Sequence, residues 1–221
     1  MGLVLDLLLP LRCVVCGAPS RAVCEPCLDG LRRLAGPCCA RCGTPTAWPV
    51  ARCNECTGRR LAFASARSAV AYDAGAKAFV SAWKGQGLRG LAREAGALVA
   101  EVVVRPRAYT ITFVPPDADR VLKRGHNPAE ALARALEPSW ALPVVALLER
   151  TGPTRPQRGL SLAERRRNVR GAFRPRGPAP ARVALVDDVY TSGATATAAA
   201  SALRKAGARH VEVITFARAV R

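Results

Sequence analysis

The pattern of apolar positions changes near residue 60. Before that point, apolar residues are scattered among nine cysteines, all of which precede residue 57. From about Leu61 onward, short β-rich runs alternate with alanine-rich stretches that have helical spacing. Alternating strands and helices are typical of α/β folds with a central, mostly parallel sheet. We therefore predict a small cysteine-rich module over residues 1–60 and an α/β domain over residues 61–221.

Within the α/β part, the periodicity predicts individual elements. Ala76, Phe79, Val80 and Trp83 fall on one helical face, and Asn127 followed by proline indicates the start of another helix. The predicted strands are residues 65–72, 111–114, 144–148, 183–186 and 210–217; the further predicted helices are residues 88–103, residues 128–136 and an alanine-rich helix that ends near Gly207.

Eight of the cysteines form four C-x-x-C pairs: Cys13 with Cys16, Cys24 with Cys27, Cys39 with Cys42, and Cys53 with Cys56. A two-residue gap lets both thiolates turn toward one ion, and two such pairs complete the tetrahedral Cys₄ set of structural zinc. The eight cysteines thus predict two structural zinc ions. The spacing leaves open whether the pairs combine in order or interleave.

The remaining cysteine residue and two glycines refine this prediction. Cys38 is left over, as a spectator or an alternative ligand beside Cys39. Gly17 and Gly43 follow the second cysteine of their pairs, where a positive φ relieves crowding around a metal. The alternative is a disulfide framework, which requires an oxidising compartment.

A second cluster of chemistry follows the apolar run at residues 183–186. Asp187 and Asp188 come directly after this run, and Thr191, Ser192, Gly193, Ala194 and Thr195 form a small, hydroxyl-rich turn before a helix. Such a turn at a helix N-terminus offers amide groups and the positive end of the helix dipole to a phosphate. Because two carboxylates would repel a bare phosphate, we predict a phosphorylated sugar whose hydroxyls are bound by the acids, directly or through a divalent cation.

Two other nucleotide-binding patterns are disfavoured. A G-x-x-x-x-G-K-[ST] motif does not occur in the chain, which excludes a P-loop. Residues 85–90 match G-x-G-x-x-G, but the preceding residues have helical periodicity, whereas a dinucleotide fingerprint follows a strand.

Net charge and the N-terminal segment bear on partners and location. The formal charge of +18 favours polyanionic partners such as nucleic acid or pyrophosphate esters, although arginine-rich surface solvation also explains it. Residues 1–11 have apolar positions at helical spacing, contain Asp6 and lack a basic leader. We expect a short amphipathic helix there, no transmembrane segment and a cytoplasmic protein.

Several of these motifs carry a resemblance to known families. Residues 183–195, VALVDDVYTSGAT, resemble the signature of type I phosphoribosyltransferases. Nearly the whole chain resembles the ComF family of competence-associated proteins, which joins a cysteine-rich zinc module to such a domain. Besides the cysteine pairs, the shared features are Tyr72 with Gly75, Lys84 before Gly87, Val114-Pro115-Pro116, Arg124-Gly125-His126-Asn127, and the run from Arg150 and Thr151 through Gln157, Leu160, Arg165, Asn168 and Val169 to Phe173.

The resemblance implies a double zinc-ribbon module and a phosphoribosyltransferase-like domain that binds phosphoribosyl pyrophosphate and Mg²⁺. It implies that Asp187 and Asp188 hold the ribose hydroxyls as catalytic residues and that the hydroxyl-rich turn holds the 5′-phosphate. Val114, Pro115 and Pro116 are expected beside the pyrophosphate. The cations expected to neutralise it are Lys84, Arg120, Lys123 and Arg124.

The same resemblance implies a link to DNA uptake and leaves two functional classes open. The first is a phosphoribosyltransferase of unknown acceptor. The second is a non-catalytic protein that handles single-stranded DNA beside a competence helicase. Residues 150–170 contain seven arginines and a capping box at residues 161–164, and they are expected to form either a lid or a solvated basic loop that contacts DNA.

Overall fold

The computed structural model describes residues 12–20, 22–85, 88–116, 125–151 and 171–220. The helices are α1 (Glu25–Asp29), α2 (Ala74–Gly85), α3 (Leu91–Val102), α4 (Pro128–Trp140) and α5 (Ala194–Lys205). The strands are β1 (Ser65–Ala71), β2 (Thr110–Phe113), β3 (Leu148–Arg150), β4 (Phe173–Pro175), β5 (Arg182–Tyr190) and β6 (His210–Arg218). No helix in these ranges combines the length and apolar character needed to cross a bilayer.

Four parallel strands form the central sheet in the order β1-β6-β5-β2. The two central strands, β5 and β6, are nine residues long and apolar over most of their length, as expected for strands covered on both faces. β3 and β4 form a separate antiparallel pair. Because all four sheet strands are parallel, their C-terminal ends meet at one edge, which is where ligands bind in open α/β sheets.

Different elements cover the two faces of the sheet. On one face, α2, α3, α4 and the first part of the cysteine-rich module share a core in which Phe79 stacks on Phe216 and Trp83 meets both rings edge-on. On the other face, α5, the β3–β4 pair and the second part of the cysteine-rich module pack together. The cysteine-rich module therefore contributes side chains to both cores.

The predicted fold class is confirmed: the chain is an α/β protein with a central parallel sheet and an N-terminal cysteine-rich zinc-binding module, consistent with a phosphoribosyltransferase-like fold. The helix over residues 76–83 is also confirmed, since its four face residues are buried. Asn127 begins α4 as expected, because its side chain accepts a hydrogen bond from Ala129 N. The helix predicted over residues 1–11 lies outside the described residues.

Three element boundaries were predicted wrongly. β5 does not end before the acids but continues through Asp187 and Asp188 to Tyr190. α4 extends to Trp140 past Pro138, because burial of Trp140 outweighs the proline in the last turn. Residues 144–148 contain only a bridge from Val144 to Ile111, and β3 begins at Leu148.

The close approach of α3 and α4 gives a stability prediction. A Cβ on Gly96 would lie 2.7 Å from the Cβ of Ala135, so Gly96→Ala must push the helices apart. We expect the free energy of unfolding in urea to fall by about 1 to 3 kcal/mol, although alanine has the higher helix propensity. Gly177→Ala, which meets no atom within 4 Å, is the matched control and should leave stability nearly unchanged. Equal stability of the two variants would contradict this packing.

Candidate functional site

The first cysteine site consists of Cys13, Cys16, Cys24 and Cys27. Their four sulfur atoms lie within 4.8 Å of one another. The backbone brings the pairs together, since Val14 N donates to Ala22 O and Cys24 N to the Cys13 sulfur. A cluster of four thiols at this distance fits one tetrahedral zinc ion without an open coordination position.

The second cysteine site consists of Cys39, Cys42, Cys53 and Cys56. Its sulfur atoms also lie within 4.8 Å of one another, with Cys42 and Cys53 only 3.4 Å apart. This site is more deeply embedded than the first, because Cys39, Cys42 and Cys56 are buried in the core beside α5. The thiol set again fits a structural zinc ion.

These two clusters resolve the question of pairing that the spacing left open. The C-x-x-C pairs combine in order, the first with the second and the third with the fourth. All nine cysteines are free thiols. Zinc ligation requires free thiols, whereas a disulfide framework would have joined them in pairs. Cys38 belongs to neither cluster. Gly17 and Gly43 have φ of 75° and 74°, as predicted, and a Cβ on Gly43 would lie 2.4 Å from Ala66 O.

Asp187 and Asp188 lie on opposite faces of β5, because side chains alternate along a strand. Asp187 points to the α5 side, where it lines a small pocket with Thr191, Thr195 and Thr215. Asp188 points to the α2 side, where its Oδ1 lies 2.7 Å from the Lys84 ammonium nitrogen. The two acids therefore have different partners at the same edge of the sheet.

The electrostatics of the two acids differ as well. Burial raises the pKa of Asp187 to about 7, and the neighbouring Asp188 carboxylate contributes in the same direction, while the Lys84 charge opposes both effects. Asp187 Oδ1 also accepts a hydrogen bond from Asp188 N at 2.9 Å. A buried carboxyl group with a raised pKa is stabilised in its charged form by a bound cation or by hydroxyl donors.

The hydroxyl-rich turn (residues 191–195) leads directly into α5, which begins at Ala194. Thr191, Gly193, Ala194 and Thr195 line the same pocket as Asp187. Ser192 is buried, and its Oγ accepts from Ala194 N at 3.4 Å. Since the first N–H groups of a helix lack intrahelical acceptors, the pocket combines amide donors, hydroxyls and one carboxylate.

Val114, Pro115 and Pro116 follow β2 at the same edge of the sheet. Phe113 is paired with Val186 in parallel register, so Val114 lies beside Asp187 across the strands. Asn127 holds this segment by donating from its side-chain amide to Val114 O at 3.3 Å. The structure thus brings Lys84, both acids, the turn and residues 114–116 to one edge. Arg120, Lys123, Arg124 and the predicted lid beyond Thr151 lie outside the described residues.

Three residues that support this site were not found from the sequence. Tyr190 ends β5 under Gly193, Arg218 ends β6 beside the Tyr190 ring, and Arg59 donates to Ser192 O. The available signal was Arg218, a charged residue that directly follows the apolar residues Phe216 and Ala217 at the end of β6. A buried arginine requires partners, but the sequence does not show that these come from the second cysteine site.

Comparisons with known proteins give a family match for the cysteine-rich module and relatives that cover nearly the whole chain. Residues 4–57 match the family described as "Double zinc ribbon domain". Competence protein F of Haemophilus influenzae is 27% identical over 225 residues, which cover 94% of this chain and 97% of the relative. Competence protein ComFC of Streptococcus pneumoniae is 24% identical, with coverage of 94% and 100%. DNA utilization protein YhgH of Salmonella typhimurium is 27% identical, with coverage of 94% and 96%.

A solved structure of TT1426 from Thermus thermophilus is 19% identical, covering 59% of this chain and 83% of that one, with a TM-score of 0.36. This TM-score is below the level at which a shared fold is inferred.

The two clusters predict metal content. Protein purified from zinc-replete medium should contain about two zinc ions per chain by elemental analysis, because each Cys₄ set binds one. Cys42→Ser should lower the content to about one, whereas Cys38→Ser, the matched control, should retain both. A wild-type content of one or zero would contradict the two-site geometry.

Proposed function

Because the chain belongs to the ComF family of competence-associated proteins, we propose that it binds phosphoribosyl pyrophosphate with Mg²⁺ and transfers the phosphoribosyl group. The acceptor is not specified by this proposal. A role in DNA uptake forms part of it, because the relatives are named as competence and DNA utilization proteins. We place this role in the cytoplasm, where thiolate zinc sites are protected from oxidation.

The observation that carries the proposal is the shared pocket of Asp187 and the hydroxyl-rich turn at the start of α5. A helix N-terminus favours an anion, whereas a carboxylate repels one. A phosphorylated sugar satisfies both, since its 5′-phosphate faces the turn and its hydroxyls face the acids. Neither a bare phosphate nor an uncharged sugar uses both halves of the pocket.

The carboxylate oxygens of Asp187 and Asp188 are hard donors of the kind that Mg²⁺ prefers. Asp187, which lines the pocket with the turn, would hold a magnesium ion together with hydroxyls of the bound sugar, while Asp188 lies on the other face of β5 beside Lys84. When bound, the ion would neutralise charge on the pyrophosphate and on the acids. Lys84, held 2.7 Å from Asp188, fixes the orientation of that carboxylate on the α2 side.

In the proposed reaction, an acceptor forms a bond to the anomeric carbon of the ribose. The bond from that carbon to the pyrophosphate oxygen breaks, pyrophosphate leaves with the electron pair, and the acceptor loses a proton. Positive charge develops on the sugar, and the carboxylates of Asp187 and Asp188 stabilise it electrostatically. Val114, Pro115 and Pro116 line the pyrophosphate side, as their place beside Asp187 suggests.

The direct test is isothermal titration calorimetry of the zinc-loaded full chain with phosphoribosyl pyrophosphate and Mg²⁺. Asp187→Asn and Asp188→Asn should each weaken binding by about tenfold or more, because each loses a charge-assisted hydrogen bond or metal ligand. Asp29→Asn, an exposed carboxylate at the end of α1, is the matched control.

The result expected for Asp29→Asn is wild-type affinity. If the wild-type chain binds neither phosphoribosyl pyrophosphate nor Mg²⁺, or if the double variant Asp187→Asn with Asp188→Asn binds as the wild type does, the proposed pocket assignment is wrong.

Binding of single-stranded DNA is a second candidate function, and a separate feature of the structure favours it. A cavity of about 760 Å³ lies between residues 58–61, β4 and α5. Four basic side chains line it: Arg59, Arg60, Arg174 and Lys205. Together with the formal charge of +18, this basic cavity favours a polyanion held mainly by electrostatic contacts.

Salt dependence tests this second function. Oligo(dT) affinity, measured by fluorescence anisotropy, should fall by about tenfold or more between about 50 and 200 mM salt. Arg60→Gln and Lys205→Gln should each reduce the logarithmic salt slope by about 0.7, because each removes one phosphate contact. Arg93→Gln removes the same charge from an exposed position on α3 and should leave the slope unchanged. No binding at low salt, or equal slopes for all variants, would contradict it.

A further inference from the structure

We propose that the second cysteine site holds the hydroxyl-rich turn in its binding shape through Arg218 and Arg59, so that ligand affinity depends on this site and not on the first. Arg218 and Arg59 are positioning residues in this proposal, since neither is assigned a contact with the ligand. The inference rests on the proposed function only for the identity of the ligand.

The first step is the enclosure of the Arg218 guanidinium by the second cysteine site. Arg218 is among the largest fully buried side chains of the described residues, with 1% exposure. Its guanidinium donates to Cys42 O and Thr44 Oγ1, and to Glu55 Oε2 at 3.1 Å. Cys42 is a ligand in the second site, and Glu55 lies between ligands Cys53 and Cys56. The position of the guanidinium is therefore set by that site.

The second step joins Arg218 to the end of β5. Arg218 and Tyr190 are paired in the parallel register of β5 and β6, and the guanidinium carbon lies 4.6 Å from the centroid of the Tyr190 ring. The Phe63 ring packs edge-on against the same ring, with 6.2 Å between the two ring centroids. A desolvated guanidinium over an aromatic face is attractive and orients both groups. Arg218 thus fixes the plane and position of the phenol ring.

The third step joins Tyr190 to the turn. The backbone of Gly193 lies so close to the ring that a Cβ there would be 2.3 Å from the Tyr190 hydroxyl and 2.7 Å from Cζ. Gly193 also has φ of 70°, which favours glycine for a second reason. Because the turn rests directly on the ring, displacement of the ring displaces Gly193, which lines the pocket with Asp187.

A second connection runs from the same cysteine site to the adjacent turn residue. Arg59 follows the last ligand, Cys56, by three positions, and its backbone N donates to Cys56 O at 3.1 Å. Its side chain donates to Glu55 O at 3.2 Å and to Ser192 O. The second site therefore reaches Ser192 directly through Arg59, and Gly193 through Arg218 and Tyr190.

The first cysteine site provides an internal comparison. Arg33 follows it in the sequence and donates to Leu28 O, Asp29 O and Leu31 O, so it ties that region together as Arg218 ties the second site. The region packs against α2 and the edge strand β1, with Arg33 bridged to Val70. Among the described residues, no hydrogen bond or ion pair joins residues 12–34 to residues 190–195.

Two readouts on the full-length, zinc-loaded chain test the inference. The first is affinity for phosphoribosyl pyrophosphate with Mg²⁺ by calorimetry, and the second is amide hydrogen exchange over residues 190–196 without ligand. Arg218→Met and Arg59→Met should each weaken binding by about tenfold and speed exchange in the turn. Arg33→Met, the matched control, should lower global stability while leaving both readouts at wild-type values.

Conservative variants separate positioning from general destabilisation. Tyr190→Phe keeps the ring between Arg218 and Gly193, so affinity and exchange should stay near those of the wild type. Tyr190→Ala should behave as Arg218→Met. At the metal sites, Cys53→Ser should weaken binding and Cys16→Ser should not. If Arg218→Met or Cys53→Ser fails to fold, the inference is tested with Arg59→Met and with the comparison of Tyr190→Phe and Tyr190→Ala. These three variants keep all eight zinc-binding thiols.

The outcomes distinguish this inference from the proposed function. If the wild-type chain does not bind phosphoribosyl pyrophosphate, the proposed function fails, and exchange over residues 190–196 alone decides the inference. Faster exchange in the Arg218 and Arg59 variants than in Arg33→Met supports it. Wild-type exchange in the Arg218 and Arg59 variants, or an equal increase in Arg33→Met, overturns it.

Discussion

Burial of the Arg218 guanidinium is the constraint on which much of the structure depends. A charge held at 1% exposure is tolerated only with close partners, and here they come from a sequence-distant module: Cys42, Thr44 and Glu55. Satisfying this one group aligns the second cysteine site with the ends of β5 and β6. It also explains why the cysteine-rich module packs into the sheet's core instead of forming a separate body. We propose that the boundary near residue 60 divides the chain into two domains that differ in sequence composition and share their hydrophobic cores.

The parallel sheet supplies the remaining geometry. Since all four strands end at the same edge, the pairing of the strands is enough to bring residues that are far apart in sequence close together there. Because side chains alternate between the two faces of β5, Asp188 forms an ion pair with Lys84 on one face and Asp187 lies beside the hydroxyl-rich turn on the other. The N-terminus of α5 and the Asp187 carboxylate become neighbours, and the phosphorylated sugar that we propose as the ligand would use both.

The elements that the sequence predicted well have a single dominant cause. The face of α2 follows from helical spacing, the start of α4 from an Asn-Pro cap, and the two metal sites from C-x-x-C spacing. The errors arose where tertiary contacts overrule local signals. Pairing with β6 carries β5 through two acids to Tyr190, and burial of Trp140 carries α4 past Pro138. The roles of Arg59 and Tyr190 were not predictable from the sequence. Arg59 acts through Ser192, which is 133 positions away, and Tyr190 acts through the close approach of its ring to the Gly193 backbone, which no motif encodes.

The most direct test of the central claim is a crystal structure of the zinc-loaded chain with phosphoribosyl pyrophosphate and Mg²⁺. We expect the 5′-phosphate at the amides of residues 191–195 and the ribose hydroxyls at the carboxylates of Asp187 and Asp188. A ligand bound elsewhere, or a phosphate at the turn with the ribose turned away from both acids, would contradict the assignment of this edge as a phosphoribosyl site.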